Sequence, residues 1–297
     1  MIRQPTAHDH FLLVSAVLMF SQSFVSLRVV VPEFGTLWTI TLRVAIALVI
    51  LLPWALWRGF EWPRGRRTWG LVLALAVLNV ILPFGLFTWG LKTITAGEAA
   101  LLFGAIPLFG LFVSHFATGD DRFTIYKLAG VGLGMIGIGT LFGVEVLSGD
   151  ADTLLAYGAV LLAAFCYALS GGIVRKLDGF PPVRLTALIY LIALPFFVAA
   201  TYLFGRELAA VPSAWVIANM VFLGLLPSGL GYILRFTLIP AIGYSYFSLA
   251  MNLLPVGGVM LGAIVLGERV TTPMLTALAL ILTGLAVARI RAGAEYH

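Results

Sequence analysis

Ten apolar runs, each about 20 residues long, follow one another along the chain with almost nothing left over: 11–31, 35–57, 69–91, 96–117, 124–144, 153–174, 183–204, 213–234, 243–266 and 272–290. As an α-helix, a run of that length spans the hydrocarbon core of a bilayer. Inside that core a backbone must satisfy its own hydrogen bonds, so only helices and closed barrels cross it. The expected fold class is an all-α membrane protein with ten transmembrane helices. The longest connectors, near 58–68 and 204–213, are too short and too poor in apolar residues to form a domain. Any chemistry therefore takes place within the bilayer or at its faces.

Composition agrees, since only 10% of the residues are charged, against about 25% in a typical soluble chain. The net charge of +5 does not call for a nucleic acid, because the positive charges are sorted by side. With the N-terminus in the cytoplasm, thirteen of the eighteen Lys and Arg fall on that side, among them Arg58, Arg66, Arg67, Lys176, Arg184 and Arg235. Only Arg28, Lys92, Arg206 and Arg269 fall opposite, and Arg43 lies mid-span. This is the positive-inside bias. It predicts a cell membrane with both termini in the cytoplasm. The expected partners are the bilayer and a small-molecule substrate, with no nucleic acid; monomer and homodimer both stay open. The first run exceeds the 7–15 apolar residues of a signal-peptide core and reads as a retained helix. The single cysteine, Cys166, excludes an internal disulfide.

The runs also repeat. "LPFG" at 82–85 returns as "LPSG" at 226–229, and "GAIPLFG" at 104–110 returns as "NLLPVGG" at 252–258. Each of the latter is followed by a polar break and a last apolar helix. Two halves result, 1–146 and 147–297, each with five spans, and an odd number means that the second half enters the membrane inverted. Inverted halves with proline- and glycine-interrupted helices at matching places point to a secondary transporter with its site near the midplane. A proline inside a helix removes one hydrogen bond and displaces the carbonyl four residues earlier. Pro83, Gly85, Pro107, Pro227, Gly229 and Pro255 are accordingly the candidate hinges.

These motifs carry a resemblance. "LRVA" around Arg43, "AALLFGAIPLFG" opening into "TGDD", and "FSLAMNLLPVGGVMLGAIVLGERVTT" resemble the drug/metabolite transporter superfamily, in its EamA-type branch of ten-helix exporters, over nearly the whole chain. In length and layout the chain is similar to bacterial amino-acid exporters of the YddG type. The resemblance implies a central cavity lined by helices one to four and six to nine, with five and ten packed outside. It also implies export of a small metabolite, amino acids foremost.

On a helical wheel, Tyr244, Ser245, Ser248, Asn252 and Pro255 of the ninth run share an arc of about 100°. A polar stripe on a membrane helix faces protein or water: it either lines a cavity or bonds neighbouring helices together. The matching residues 148 positions earlier, Gly97, Ala100, Gly104 and Pro107, would give the facing wall of such a cavity a smooth surface. Gln22 (on a face with Ser15 and Ser26), Asn79, Trp38, Tyr167, Ser170 and Tyr232 can join the site. Arg43 either clamps backbone at a helix break or receives a substrate carboxylate. Glu98, the one carboxylate placed clearly within a span, either pairs with Lys92 or takes a proton during transport.

Other classes find less support. "GLGMIG" at 132–137 fits G-x-G-x-x-G, but no strand precedes it, and it reads as close helix packing. No nucleophile motif or metal-ligand spacing occurs, so neither an enzyme nor a cofactor is expected. A multidrug exporter of the same fold and a non-transporting scaffold or sensor remain the alternatives.

Overall fold

The computed structural model describes residues 4–110, 125–148, 150–177, 179–205, 212–243, 247 and 250–287. Among them there is no strand. Five helical segments are long and apolar enough to cross a membrane, and four shorter apolar helices accompany them. The first segment, Ala7–Trp57, is 51 residues long but broken at Gly35, whose φ of 72° suits a residue without a Cβ. It therefore holds two helices, α1 (7–34) and α2 (36–57). The others are α3 (Arg66–Gly90) and α4 (Ala96–Gly110); α5 (Ile125–Ser148), α6 (Ala151–Lys176) and α7 (Pro182–Phe204); α8 (Ala214–Ile242); and α9 (Leu254–Leu266) and α10 (Thr272–Val287).

Local chemistry sets the ends. α1 starts earlier than its apolar run because Thr6 and Asp9 form a capping box, with Thr6 N donating to Asp9 Oδ2 at 2.7 Å and Asp9 N to Thr6 Oγ1 at 3.3 Å. Asp150 precedes α6 and accepts from both Thr153 Oγ1 and Thr153 N, bonds that hold its carboxyl below the usual range. The cap is complete above the unfolded pKa and is lost as pH falls through the lowered folded value. α8 runs to Ile242, well past the expected end at 234, and stops where Gly243 turns with φ 88°.

Where the two halves meet, helices at matching repeat positions run antiparallel. In the α4–α9 pair, Gly97 lies against Val259, Ala100 against Gly258 and Gly104 against Pro255. A Cβ on Gly258 would sit 2.1 Å from that of Ala100. The small-residue face of α4 is thus filled by α9 and is not the smooth cavity wall expected from sequence. α5 and α10 form a second antiparallel pair, in which a Cβ on Gly284 would come within 2.4 Å of the Gly130 carbonyl oxygen. Of the glycines in "GVGLGMIGIG", Gly130, Gly134 and Gly137 serve this packing, while Gly132 and Gly139 face open space.

The bundle has two distinguishable ends. At one, here the basic end, Arg184 of α7 reaches Glu61 of the α2–α3 connector at 3.9 Å and covers the Phe180 ring at 4.2 Å. At the far end, Arg28 Nη1 donates to the Leu91 carbonyl at 2.8 Å, closing the C-terminus of α3. Large apolar side chains such as Phe11, Val49, Ile136, Phe204 and Ile264 are exposed on the outside, the arrangement expected of a lipid-facing surface.

Candidate substrate cavity

All four matched prolines distort their helices, and in the same way in each half. Pro83 follows a π-helical turn, Val77–Ile81, and Pro227 lies in another, Gly224–Leu230. A wide turn of this kind lets the chain accommodate the missing N–H. The carbonyls displaced by the two prolines belong to Asn79 and Leu223. Both are satisfied by hydroxyls: Tyr232 Oη donates to the Asn79 carbonyl at 2.8 Å, and Ser228 Oγ to the Leu223 carbonyl at 2.7 Å. α4 and the start of the ninth span instead tighten just before their prolines. Ala105 N donates to the Leu102 carbonyl at 3.1 Å, and Leu253 N to the Ala250 carbonyl at 3.0 Å.

These irregular turns surround an internal cavity. α1 contributes Phe20, Ser23 and Phe24; α2, Arg43; α3, Pro83, Phe84 and Phe87; α4, Phe103, Ile106 and Pro107. From the second half come Tyr167 of α6, Tyr232 and Arg235 of α8, and Phe247, Met251 and Leu254 of the ninth span. None of the described residues of α5 or α10 lines it. The cavity volume is about 70 Å³, room for a small solute.

Arg43, 5% exposed, donates through Nε to Ser228 Oγ, and its Cζ lies 4.0 Å from the centroid of the Phe84 ring. It thus ties α2 of one half to the proline break of α8 in the other. Arg235, 8% exposed, donates from Nη2 to Ser170 Oγ at 3.1 Å and to the Tyr167 carbonyl at 3.3 Å. Since the Tyr232 hydroxyl gives its one proton to Asn79, it is Tyr167 that donates across the 2.7 Å contact between the two phenols. Ser170 also reaches Asn79 Oδ1 at 3.2 Å. Tyr167, Ser170, Asn79, Tyr232 and Arg235 are therefore one network, buried against the cavity.

The structure sorts the residues expected from sequence. Arg43, Tyr167, Tyr232, Pro83 and Pro107 line the cavity, while Asn79 and Ser170 sit directly behind the lining. Asn252 is buried at the turn beside the lining residue Met251. Tyr244, Ser245 and Ser248 lie outside the described residues. Gln22 and Trp38 are half-buried and are not part of the lining. The cavity face of α1 is Phe20, Ser23 and Phe24; Ser26 instead bonds Asn219 of α8 at 2.8 Å, and Ser15 its own helix backbone at 2.9 Å. Pro227 and Gly229 lie within the π-helical break of α8, Gly85 follows that of α3, and Pro255 packs on Gly104.

Arg235 is the residue that sequence reasoning misplaced. Ending the eighth span at 234 put it on the cytoplasmic surface, whereas α8 continues to Ile242 and buries it in the cavity wall. The run "LIPAI" after it carries no charge and was the available sign that the helix goes on.

Glu98 is fully engaged at the far end. Its Oε2 accepts from Thr95 N and Thr95 Oγ1, both at 2.8 Å, and its Oε1 from Tyr157 Oη at 2.6 Å. It caps α4 with Thr95 and Tyr157 as its partners, not Lys92, whose pairing was one of the two roles left open by the sequence. Glutamine can fill the same capping position, so Glu98→Gln is expected to lower Tm by a few degrees and leave the transport rate within about twofold. Glu98→Ala, which removes both acceptors, should cost about 1–2 kcal/mol. Loss of transport in a folded Glu98→Gln protein would reverse this and make the carboxylate a proton carrier.

Comparison with known proteins bears on what such a cavity does. The sequence model of the EamA-like transporter family matches residues 9–143 and again 154–290, nearly the whole chain. The uncharacterized transporter YoaV of Bacillus subtilis (strain 168) is 24% identical over 279 residues, covering 92% of this chain and 94% of its own. The uncharacterized transporter YvbV of the same organism is 27% identical over 243 residues, covering 78% and 75%. A solved crystal structure, 19% identical, superposes with a TM-score of 0.72 over 99% of this chain and 100% of its own, and so shares the fold.

Proposed function

The chain belongs to the EamA-like transporter family, and from that premise we propose that it exports small metabolites across the bacterial cytoplasmic membrane by alternating access. In this reading both termini are cytoplasmic, and the halves 1–146 and 147–297 rock about the cavity. The observation that carries it is the origin of the cavity wall, drawn from both halves and placed at proline breaks that recur at matching positions. Antiparallel pairing of α4 with α9 supplies the axis about which the halves move.

Amino acids are the class suggested by the resemblance. Their carboxylate suits Arg43 and Arg235, while their ammonium meets no acidic side chain on the described lining. The same two guanidinium groups count against cationic drugs. Counterflow in proteoliposomes, with labelled amino acids, organic anions, nucleosides, sugars and cationic drugs outside and the unlabelled solute inside, tests the reading. Saturable exchange of any of them supports a carrier; a flux that never saturates means a channel, and no flux for any solute means a scaffold.

The hinge role has its own test. Alanine at Pro83, Pro107, Pro227 and Pro255 restores the backbone donors and straightens the helices. The maximal exchange rate should fall about tenfold with substrate affinity within about threefold. An unchanged maximal rate removes the hinge role.

A further inference from the structure

The charge of the cavity wall narrows the substrate beyond transport itself. Arg43 and Arg235 are both more than nine-tenths buried, and both line the cavity. Among the described residues neither has an ion-pair partner, the ion pairs there being those of Glu61 with Arg64 and Arg184. Among the described residues Arg235 Nε has no hydrogen-bond partner. Of the described carboxylates, Glu98 and Glu268 are engaged at the far end, Glu61 at the basic end, and Asp9 and Asp150 at helix starts, while Glu33 and Asp152 are exposed and are not part of the cavity lining. Two uncompensated cations within a membrane are costly, and they persist where something binds them.

The rest of the wall is apolar and ring-built. Phe24, Phe87 and Phe103 pack with centroids 4.5–5.7 Å apart, and Phe103 continues to Tyr167 at 5.7 Å. Such a wall accepts a flat apolar body and offers few partners to a polyhydroxylated one.

We infer that the substrate is an organic anion, one carboxylate carried on a flat apolar body without an amine, with Arg43 and Arg235 gripping its charged end from opposite halves of the transporter. This rests on the transporter reading and replaces a zwitterion by an anion: an ammonium would face two fixed positive charges, whereas a carboxylate can accept from guanidinium N–H groups of both halves. A single anion held this way also links the halves across the cavity.

The test uses purified full-length protein, with benzoate and phenylacetate as anions, benzamide as a neutral isostere of benzoate, and phenylalanine and phenethylamine as the zwitterion and the cation. Binding is read by calorimetry and exchange by counterflow. The anions should bind at least about 30-fold more tightly than benzamide, with phenylalanine between and phenethylamine absent. Arg235→Gln should abolish the preference for benzoate over benzamide, and Arg235→Lys should keep part of it, which a merely structural role would not do. Equal binding of benzoate and benzamide to wild type, a measurement that needs no variant to fold, overturns the inference. So does exchange of phenylalanine without any exchange of the anions, although transport itself then stands. Anion binding with no exchange of any solute upholds the substrate class and overturns the transporter reading instead.

Discussion

Ser228→Ala is expected to destabilise the protein by about 2 kcal/mol and to slow transport at least tenfold. The Ser228 hydroxyl donates to the Leu223 carbonyl, which Pro227 has deprived of its helical partner, and accepts from Arg43 Nε. Alanine leaves Arg43 Nε buried without its acceptor, at about 1–3 kcal/mol, and leaves the Leu223 carbonyl with only the π-turn bond from the N–H of residue 228. The lower part of that range applies to the arginine, whose other N–H groups border a cavity that water can enter. Transport suffers because Arg43 then loses the contact that orients it over Phe84. Thermal unfolding in detergent and the counterflow rate read the two effects separately. The mechanism predicts a coupling: in a Pro227→Ala background the backbone N–H of residue 227 can return to Leu223, and the stability loss of Ser228→Ala should shrink by about 1 kcal/mol. Additive losses would show that the displaced carbonyl is not what the serine serves.

Glu268→Ala should be the second large effect, about 2 kcal/mol of stability, with the far end of the bundle loosened. The N-terminus of α4 presents four backbone donors. Glu98 takes that of Thr95, Thr95 Oγ1 takes that of Glu98, and Glu268 takes the two between, Ala96 N at 2.8 Å and Gly97 N at 3.1 Å. A carboxylate at that place also meets the positive end of the helix dipole. The rest of the segment "GAIVLGER" exists to deliver it. Gly267 ends α9 in the left-handed region with φ 68°. A Cβ on Gly262 would meet Glu268 Oε2 at 2.5 Å, so glycine leaves room for the carboxylate. Glu268→Gln keeps an acceptor and should lose about half as much. If Glu268→Ala unfolds at the wild-type temperature, water replaces the carboxylate and the tie between the halves carries no weight.

The LGER stretch shows what can be read in one dimension and what cannot. It follows a proline-broken helix in the second half as "TGDD" does in the first, but the backbone donors that its carboxylate meets are 171 and 172 residues away. The same holds at the cavity. Pro83 and Pro227 announce displaced carbonyls, yet nothing in the text says that the hydroxyl for Asn79 comes from Tyr232, 153 residues on. The wheel for the first span grouped Ser15, Gln22 and Ser26 correctly as one face but could not say which face looks inward. Ser26 meets α8, and phenylalanines face the cavity. Polar side chains in lipid need partners, and a helix partner satisfies them as well as a solute does.

The sequence by itself determined the helical class, the membrane, the proline breaks and the repeat, because each follows from local rules: hydrocarbon thickness, backbone satisfaction, and the missing N–H of proline. Only the tertiary structure decided that the small-residue face of α4 is packing, that Arg235 is buried in the same cavity wall as Arg43, and that the cavity is a ring-walled space with two cations. Those outcomes depend on which helix faces meet, and helices packed in lipid choose their faces by shape and hydrogen bonding between distant segments, a relation that no single apolar run contains.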